Sequence, residues 1–465
     1  MIKIKNIRTL CLICLVLAVL GLAGCYSAQY QYGYSGEIEH EPEPVAFDVN
    51  AAMLGSRFNR TTQLRQPTPE EAERYPQLTN LPTLYITFEY LTSIRSLTRG
   101  HHFLPGSYTL VKGDEGGFFN EPLNIKRRGA WSYSHAKRPY TVDLMTDTSW
   151  GGLPAASRWI LIANWSDKSL MRNHVTFQLL RRVTDDWSPN SFFADVFING
   201  RYEGTYLITD SIEIHENRLN LDIATEAVFE INAIFRCKSD YNCRDCIPLI
   251  DGRHHIIYKR PGGVLCAQAR QRNLALFREF FAGMQTSLSL GYEAYSQFID
   301  VPSFVNWYIV HELTKNFDSA FTASVYAFMK NGRLHMGPGW DYDTIFGNQE
   351  IGPPTNKLNP EGFWINSSPW FRRLMNDATF ERLVQERWTE LRQEGVFCEF
   401  FSELVDETAA HIAESAALNF EVWPCAISFH MRGPNRSHSH EAEIDYIRNW
   451  VARRVEWLDT QWYIG

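Results

Sequence analysis

An α+β fold is the class this sequence predicts, on two observations. Short apolar and alternating runs dominate from Pro82 to about residue 210, whereas helix-length amphipathic runs fill the chain from about residue 300 onward. The two kinds of element are segregated along the chain rather than interleaved. That order argues for a strand-rich first half and a helix-rich second half.

The elements follow in order. Thr83–Phe88 and Ser107–Val111 read as strands, and Asn124–Gly129 as a strand running into a turn. Lys137–Leu144 alternates after its proline, and Trp159–Ala163 is a short buried strand. Ser169–Val183 has helical spacing, with Ser166 or Asp167 as its N-cap. Phe192–Leu207 is a hairpin turning at Asn199-Gly200, the strongest short-range hairpin signal. Val301–Thr314 is helical. Ser324–Met329 and Arg333–Met336 form a second hairpin around Asn331-Gly332. Helices over Trp370–Gln393, Phe400–Leu418 and His440–Trp462 complete the chain.

The amino terminus carries an address. Lys3, Lys5 and Arg8 precede an apolar run from Leu10 to Leu22, too short for a stable span and typical of a secretory leader. The run ends in Leu22-Ala23-Gly24-Cys25, which resembles a bacterial lipobox. That resemblance implies removal of residues 1–24 and lipid on Cys25. Tyr26 follows, with no Asp to suggest inner-membrane retention. The expected location is the cell envelope, at the outer membrane in a Gram-negative host, facing the periplasm or the exterior. An ordinary signal peptide or an uncleaved anchor is the plainer alternative. Residues 25–80, rich in Tyr, Glu, Pro, Gln and Thr, read as a flexible tether. The folded domain is expected over residues 81–465.

Composition bounds the partners. With 45% apolar and 14% aromatic residues there is ample material for a large core. A net charge of −8 and the lack of a long basic patch argue against nucleic acid. Six cysteines remain beyond the leader and Cys25. In an oxidising compartment they favour disulfides, while Cys237, Cys243, Cys246 and Cys266 could instead close a zinc knot. That cluster marks an insertion at about 236–266.

Two stretches carry chemistry. Gly337–Asp343 sets Asp341 and Asp343 beside Trp340, and Asn316-Phe317-Asp318 lies upstream. Carboxylates on short segments hold divalent cations, and an indole face stacks on a purine. No G-x-S-x-G elbow, H-E-x-x-H helix or G-x-x-x-x-G-K-[ST] loop occurs. His438 and His440 are read as part of a polar loop.

In this setting the chain resembles the CotH kinases, atypical relatives of protein kinases. The resemblance runs through Arg128-Gly129 with Ser132, Lys137-Arg138-Pro139-Tyr140, and Gly152-Leu153-Pro154 into Trp159-Ile160-Leu161. It continues through Asn164, Asp167, Ser169, Arg172 and Asn173, then Asn199-Gly200-x-Tyr202-x-Gly204-x-Tyr206. Phe229-Glu230-Ile231, Lys259-Arg260-Pro261, Glu312-Leu313, Asn316-x-Asp318 and Trp340–Asp343 with Gly347-Asn348 follow, covering about 82 to 462. Asp210 stands where the family usually has Glu, and Ala130 where it usually has Asn.

The resemblance implies an atypical protein-kinase-like fold and a Mg²⁺- or Mn²⁺-dependent phosphoryl transfer from ATP to an envelope or secreted protein. Lys137 would contact the phosphates. Asp318 would orient and deprotonate the acceptor, and Asp341 would hold the metal with Asp343 or Asn316. Trp340 would stack on the base, while Arg172 and Asp167 would form a positioning ion pair. Roles could be exchanged between Asp318 and Asp341. Plainer readings stand beside these. Lys137 with Arg138 is otherwise a solvated pair, and Arg172 with Asp167 a helix brace. Trp340 is otherwise core, Asp343 a turn cap, and Tyr202 and Tyr206 hairpin packing. Asp318 and Asp341 resist that discount best. Because ATP is scarce outside the inner membrane, the competing hypothesis is a non-catalytic kinase-like surface protein for envelope assembly or adhesion.

Overall fold

The computed structural model describes residues 64–88, 103–129, 132–233, 246–260, 267–348, 358–425 and 439–465. The leader, Cys25, the tether before Leu64, three cysteines of the insertion (Cys237, Cys243 and Cys266) and His438 lie outside these residues.

Both strands and helices build the fold, as α+β segregation requires. In chain order the elements are α1 (Pro69–Arg74), β1 (Thr83–Thr87), β2 (Leu104–Val111), β3 (Gly117–Arg127), β4 (Tyr140–Thr148) and β5 (Ala156–Ile162). Next come α2 (Arg172–Val183), β6 (Ser191–Ile198), β7 (Arg201–Asp210), β8 (Ala227–Ala233), β9 (Cys246–Pro248) and β10 (His254–Arg260). Then follow α3 (Ala267–Ser287), α4 (Tyr292–Tyr295), α5 (Val301–Thr314), β11 (Val325–Lys330) and β12 (Arg333–Met336). The chain closes with α6 (Phe371–Leu374), α7 (Ala378–Gln393), α8 (Phe401–Val422) and α9 (His440–Trp462).

Strands β1-β2-β3-β4-β5-β7-β6 close into a barrel. Closure depends on a parallel pairing of β1 with β6, Leu84 opposite Val196, between segments more than a hundred residues apart. Alternation then sorts the side chains. Leu123 and Ile125 of β3, Val142 of β4 and Trp159 and Leu161 of β5 turn inward and fill the barrel. Their neighbours Lys126, Thr141, Arg158 and Ile160 therefore face outward. Asn199 and Gly200 both take positive φ, 48° and 77°, as a tight two-residue hairpin turn demands.

A second sheet, in the order β12-β11-β8-β10-β9, stands with the helices on a separate large core that includes Phe229, Phe281, Phe304, Trp370 and Trp388. Helix α5 starts where Asp300 caps the Ser303 N–H at 2.9 Å, with Pro302 in its first turn. It ends at Lys315, whose backbone is left-handed (φ 49°).

Three expectations are altered. The tether expected over residues 25–80 is shorter, since Leu64 onward is built against the barrel. Thr68 and Glu71 form a capping box on α1, Arg65 bridges to Gly117, and the Thr79 hydroxyl reaches Asp195 at 2.7 Å. Helix α2 starts at Arg172 rather than Ser169, because Leu170 adopts φ 62° and no helix can pass through it. Asp167 still serves that terminus from outside, accepting the Arg172 N–H at 2.8 Å. Cys398 and Cys425, counted with the disulfide set, are free thiols. They sit at opposite ends of the 22-residue helix α8, about 33 Å long at 1.5 Å per residue, far beyond a disulfide's reach.

Candidate functional site

A cleft of about 190 Å³ separates the outer face of the barrel from the second sheet. Its floor is laid by register: Lys126 pairs with Thr141, and Thr141 with Ile160, so three adjacent strands present side chains in one row. Arg128, two residues beyond Lys126, and Arg158, two residues before Ile160, extend the same face. Val228 of β8, Lys259 of β10, Tyr326 of β11 and Trp340 line the opposite side. Four cations, Lys126, Arg128, Arg158 and Lys259, thus converge on one small space. Arg158 is held by Asp143 at 2.5 and 2.6 Å, and Lys259 by Glu230 at 2.6 Å. The Arg128 guanidinium lies 5.2 Å from the Trp340 ring centroid. Burial lowers the Arg128 pKa, while Tyr326 and Asp341 partly restore it, so Asp341 is close enough to be felt.

Asp341 belongs to a hydrogen-bonded chain that starts in the cleft. Lys259 holds Glu230, Asn232 donates to Glu230 at 3.0 Å, and the Ser324 N–H donates to Asn232 at 3.1 Å. The Ser324 hydroxyl then donates to the Asp341 carboxylate at 2.8 Å. Asn316 joins the other acidic segment to this one: its amide N–H donates to the Asp341 carbonyl at 3.2 Å, and its amide oxygen accepts the Asp318 N–H at 3.0 Å. Asn316 thus links the segments that carry Asp318 and Asp341 through their backbone groups. Asp343 is close by in the chain, its carbonyl accepting from Asn348 at 2.5 Å.

The Trp340–Asp343 loop is anchored from behind. Asn173 of α2 accepts the Tyr342 N–H at 2.9 Å, and the Tyr342 hydroxyl pairs with His311 Nε2 at 3.0 Å. Burial pushes the His311 imidazole down to about 3, against a small upward pull from the Trp307 carbonyl, so the ring is neutral. A β-carbon on Gly339 would collide with the Tyr342 hydroxyl and with Leu180, so only glycine permits this approach. The peptide between Gly337 and Pro338 is cis.

Lys137 is not among the residues that line the cleft. It is buried beside α8, where Nζ donates to the Thr205 carbonyl and, at 2.8 Å, to Asn419 Oδ1, over the Tyr206 ring. Desolvation holds its pKa well below that of an ordinary lysine, with Lys168 adding to the effect. Asp167 and Arg172 do form an ion pair, at 2.5 Å, and both are fully buried. Arg172 also contacts Glu443 of α9 at 3.3 Å and the Ile345 carbonyl at 3.1 Å, so the pair braces α2 against the segment after Asp343. Trp340 is only 8% exposed, packed on Phe177 at 5.9 Å with Arg128 over its ring.

Arg128, Lys126, Arg158 and Ser324 belong to the site but lie outside the residues that the sequence pattern singles out for it. The signal for two of them was present: Lys126-x-Arg128 is an i, i+2 pair on a strand, so both cations must share a face. Nothing in the sequence marks Ser324.

The arrangement suits anionic, phosphorylated ligands. Lysine and arginine bind phosphate oxygens, and two carboxylates with an amide are hard oxygen ligands for Mg²⁺ or Mn²⁺. Among the described residues, no three His, Cys, Asp or Glu side chains converge into a metal cage. Magnesium in phosphoryl-transfer sites is commonly held by one or two carboxylates together with substrate phosphates, so this donor set fits the ion. A family model described as CotH kinase protein matches residues 125–458. The match begins inside β3, so β1 and β2 precede it. No curated protein matches the chain.

Proposed function

The chain belongs to the CotH kinase family, and from that premise we propose that it transfers a phosphoryl group from ATP or a similar donor to a hydroxyl of an envelope or surface protein. The observation that carries this reading is a cleft with four cations on its walls and the Asn316–Asp318–Asp341 group linked to it through Ser324, Asn232 and Glu230. Phosphoryl transfer asks a protein for little else: charge to hold the donor, oxygen ligands for a metal, and a base aimed at the acceptor. The barrel and the helix-bearing second sheet, with a cleft between, would correspond to the two parts of an atypical kinase.

Arg128, with Lys126, Arg158 and Lys259, takes the phosphate-holding role expected of Lys137. Lys137 becomes a brace between β7 and α8. Asp318 accepts the proton of the acceptor hydroxyl as its oxygen attacks. Asp341 and Asn316, with Asp343 next in line, would hold Mg²⁺ or Mn²⁺, which when bound neutralises charge on the phosphates. Arg172 and Asp167 act at a distance, by fixing the segment behind the loop. The leader and Cys25 would place the reaction outside the inner membrane.

Calorimetry of the full chain with ATP and Mg²⁺, beside Asp341→Ala and Arg128→Ala, tests the reading. Metal-dependent binding that weakens in both variants supports it. A well-folded protein that binds no nucleotide would instead be a non-catalytic kinase-like surface protein.

A further inference from the structure

Resting on that reading, we propose that the cleft recognises its donor through the phosphate chain and not through the base, so that inorganic tripolyphosphate is accepted like ATP. Three features converge on this. The first is size: the cleft holds about 190 Å³, whereas pockets that enclose a whole drug-sized ligand run from about 300 to 1,000 Å³. A phosphate chain fits within that volume, and a nucleoside attached to it would extend beyond the cleft.

The second is lining. Lys126, Arg128, Arg158 and Lys259 face one another with Thr141 and Ser211 between them, a set suited to phosphate oxygens. Asp143 grips Arg158 through Nε and Nη2, which leaves Nη1 outside that pair.

The third is the indole. Trp340 is the obvious platform for a purine, yet Phe177 covers it at 5.9 Å and the Arg128 guanidinium stands over its ring at 5.2 Å. At 8% exposure little of the ring is open. What the ring supports is a cation, and that cation is available to phosphate. The indole thereby orients an arginine rather than a base.

With tripolyphosphate the chemistry balances without a nucleoside. The acceptor oxygen forms a bond to the terminal phosphorus, the phosphoanhydride bond breaks, pyrophosphate leaves, and the hydroxyl proton passes to Asp318.

The test is a binding panel on the full chain with Mg²⁺: tripolyphosphate, ATP, GTP and adenosine, each repeated with Arg128→Met. Dissociation constants for the first three within about threefold of one another, no binding of adenosine, and an Arg128→Met loss of about tenfold or more shared by all three would establish it. ATP bound tenfold or more tighter than both tripolyphosphate and GTP would overturn base-blind recognition while leaving the kinase reading intact. Tripolyphosphate binding indifferent to Arg128→Met would place it elsewhere on the surface and also overturn the proposal. Binding of none of them by folded protein would remove both readings. The melting temperature of Arg128→Met, compared with that of the parent, shows whether its loss of affinity reflects unfolding.

Discussion

Ser324 and Asp341 are both left-handed in backbone, with φ of 55° and 68°, and they are joined by a 2.8 Å hydrogen bond from the serine hydroxyl to the carboxylate. Neither conformation is comfortable for a residue with a β-carbon, and each costs on the order of 1 kcal/mol or more. Lys315 and Phe321, which flank the Asn316–Asp318 segment, share this conformation. Strain concentrated around one carboxylate is tolerated only where surrounding contacts over-determine the geometry. Here those contacts are Asn232, Asn316, Asn173 and His311.

Ser324 should therefore separate activity from stability. Ser324→Ala loses a hydrogen bond to a charged group, about 1.5–3 kcal/mol, and should lower turnover by about 10- to 100-fold. Ser324→Gly loses the same bond but relieves the left-handed strain, so it should melt higher than Ser324→Ala at equally low turnover. Full activity in the glycine variant would show that the hydroxyl does not position Asp341.

Lys137 and Arg128 should behave oppositely. Lys137→Met strips the donor from the Thr205 carbonyl and from Asn419, both buried, and should cost about 2 kcal/mol or more of stability. Donor affinity of the folded protein should stay within about twofold of the parent. Arg128→Met should reverse the pattern, with a melting temperature near the parent's and weakened donor binding. Affinity lost with Lys137 in protein still folded would return that lysine to the site.

Most of the elements could be read from the sequence, because their signals are local. Apolar and alternating runs mark β1 to β5, Asn-Gly marks both hairpins, and helical spacing marks α5. Barrel closure was not legible, since the β1–β6 pairing joins segments with no local signature. Asp318 and Asp341 stand out in the sequence because acidic residues among aromatics have few packing uses, and Asn316 links their two segments in the fold. Lys137 and Arg128, basic residues nine positions apart on either side of a turn, look alike in sequence. Only the strand geometry decides which of them faces the cleft. Ser324 was invisible for a related reason: its importance lies in backbone conformation and a partner 17 residues away.

Acid should weaken the fold through two imidazoles. Burial pushes both His174 and His311 down to about 3, from an ordinary value near 6.5. Between those values the unfolded chain binds protons that the native protein refuses, so stability falls as pH drops below about 6.5. At pH 5 each histidine should have removed about 2 kcal/mol relative to neutral pH. Urea midpoints measured from pH 7 to 5 should fall, and His311→Gln should flatten that slope by about half. A slope unchanged by the substitution would mean that His311 is protonated in the native state.

The segment that holds Asn316–Asp318 from the far side depends on one buried pair. Glu312 and Arg454, both fully buried, meet at 3.0 Å. The Glu312 carboxylate also accepts the N–H groups of Trp364, Ile365 and Asn366, while Arg454 donates to the carbonyls of Pro360 and Gly362. The pinned segment in turn reaches the site, since Trp364 Nε1 donates to the Phe317 carbonyl at 3.2 Å. Burial raises the Glu312 pKa, and Arg454 with the three N–H groups opposes that rise. Glu312→Gln preserves shape but leaves Arg454 buried without its counter-charge and turns an N–H₂ toward backbone donors. The expected loss is about 3–5 kcal/mol in urea unfolding. At a temperature where the variant is still folded, turnover should fall while donor affinity holds, because the displaced group is Asp318 and not the cation row. A Glu312→Gln protein as stable as its parent would show that the amide satisfies the pinned segment as well as the carboxylate does.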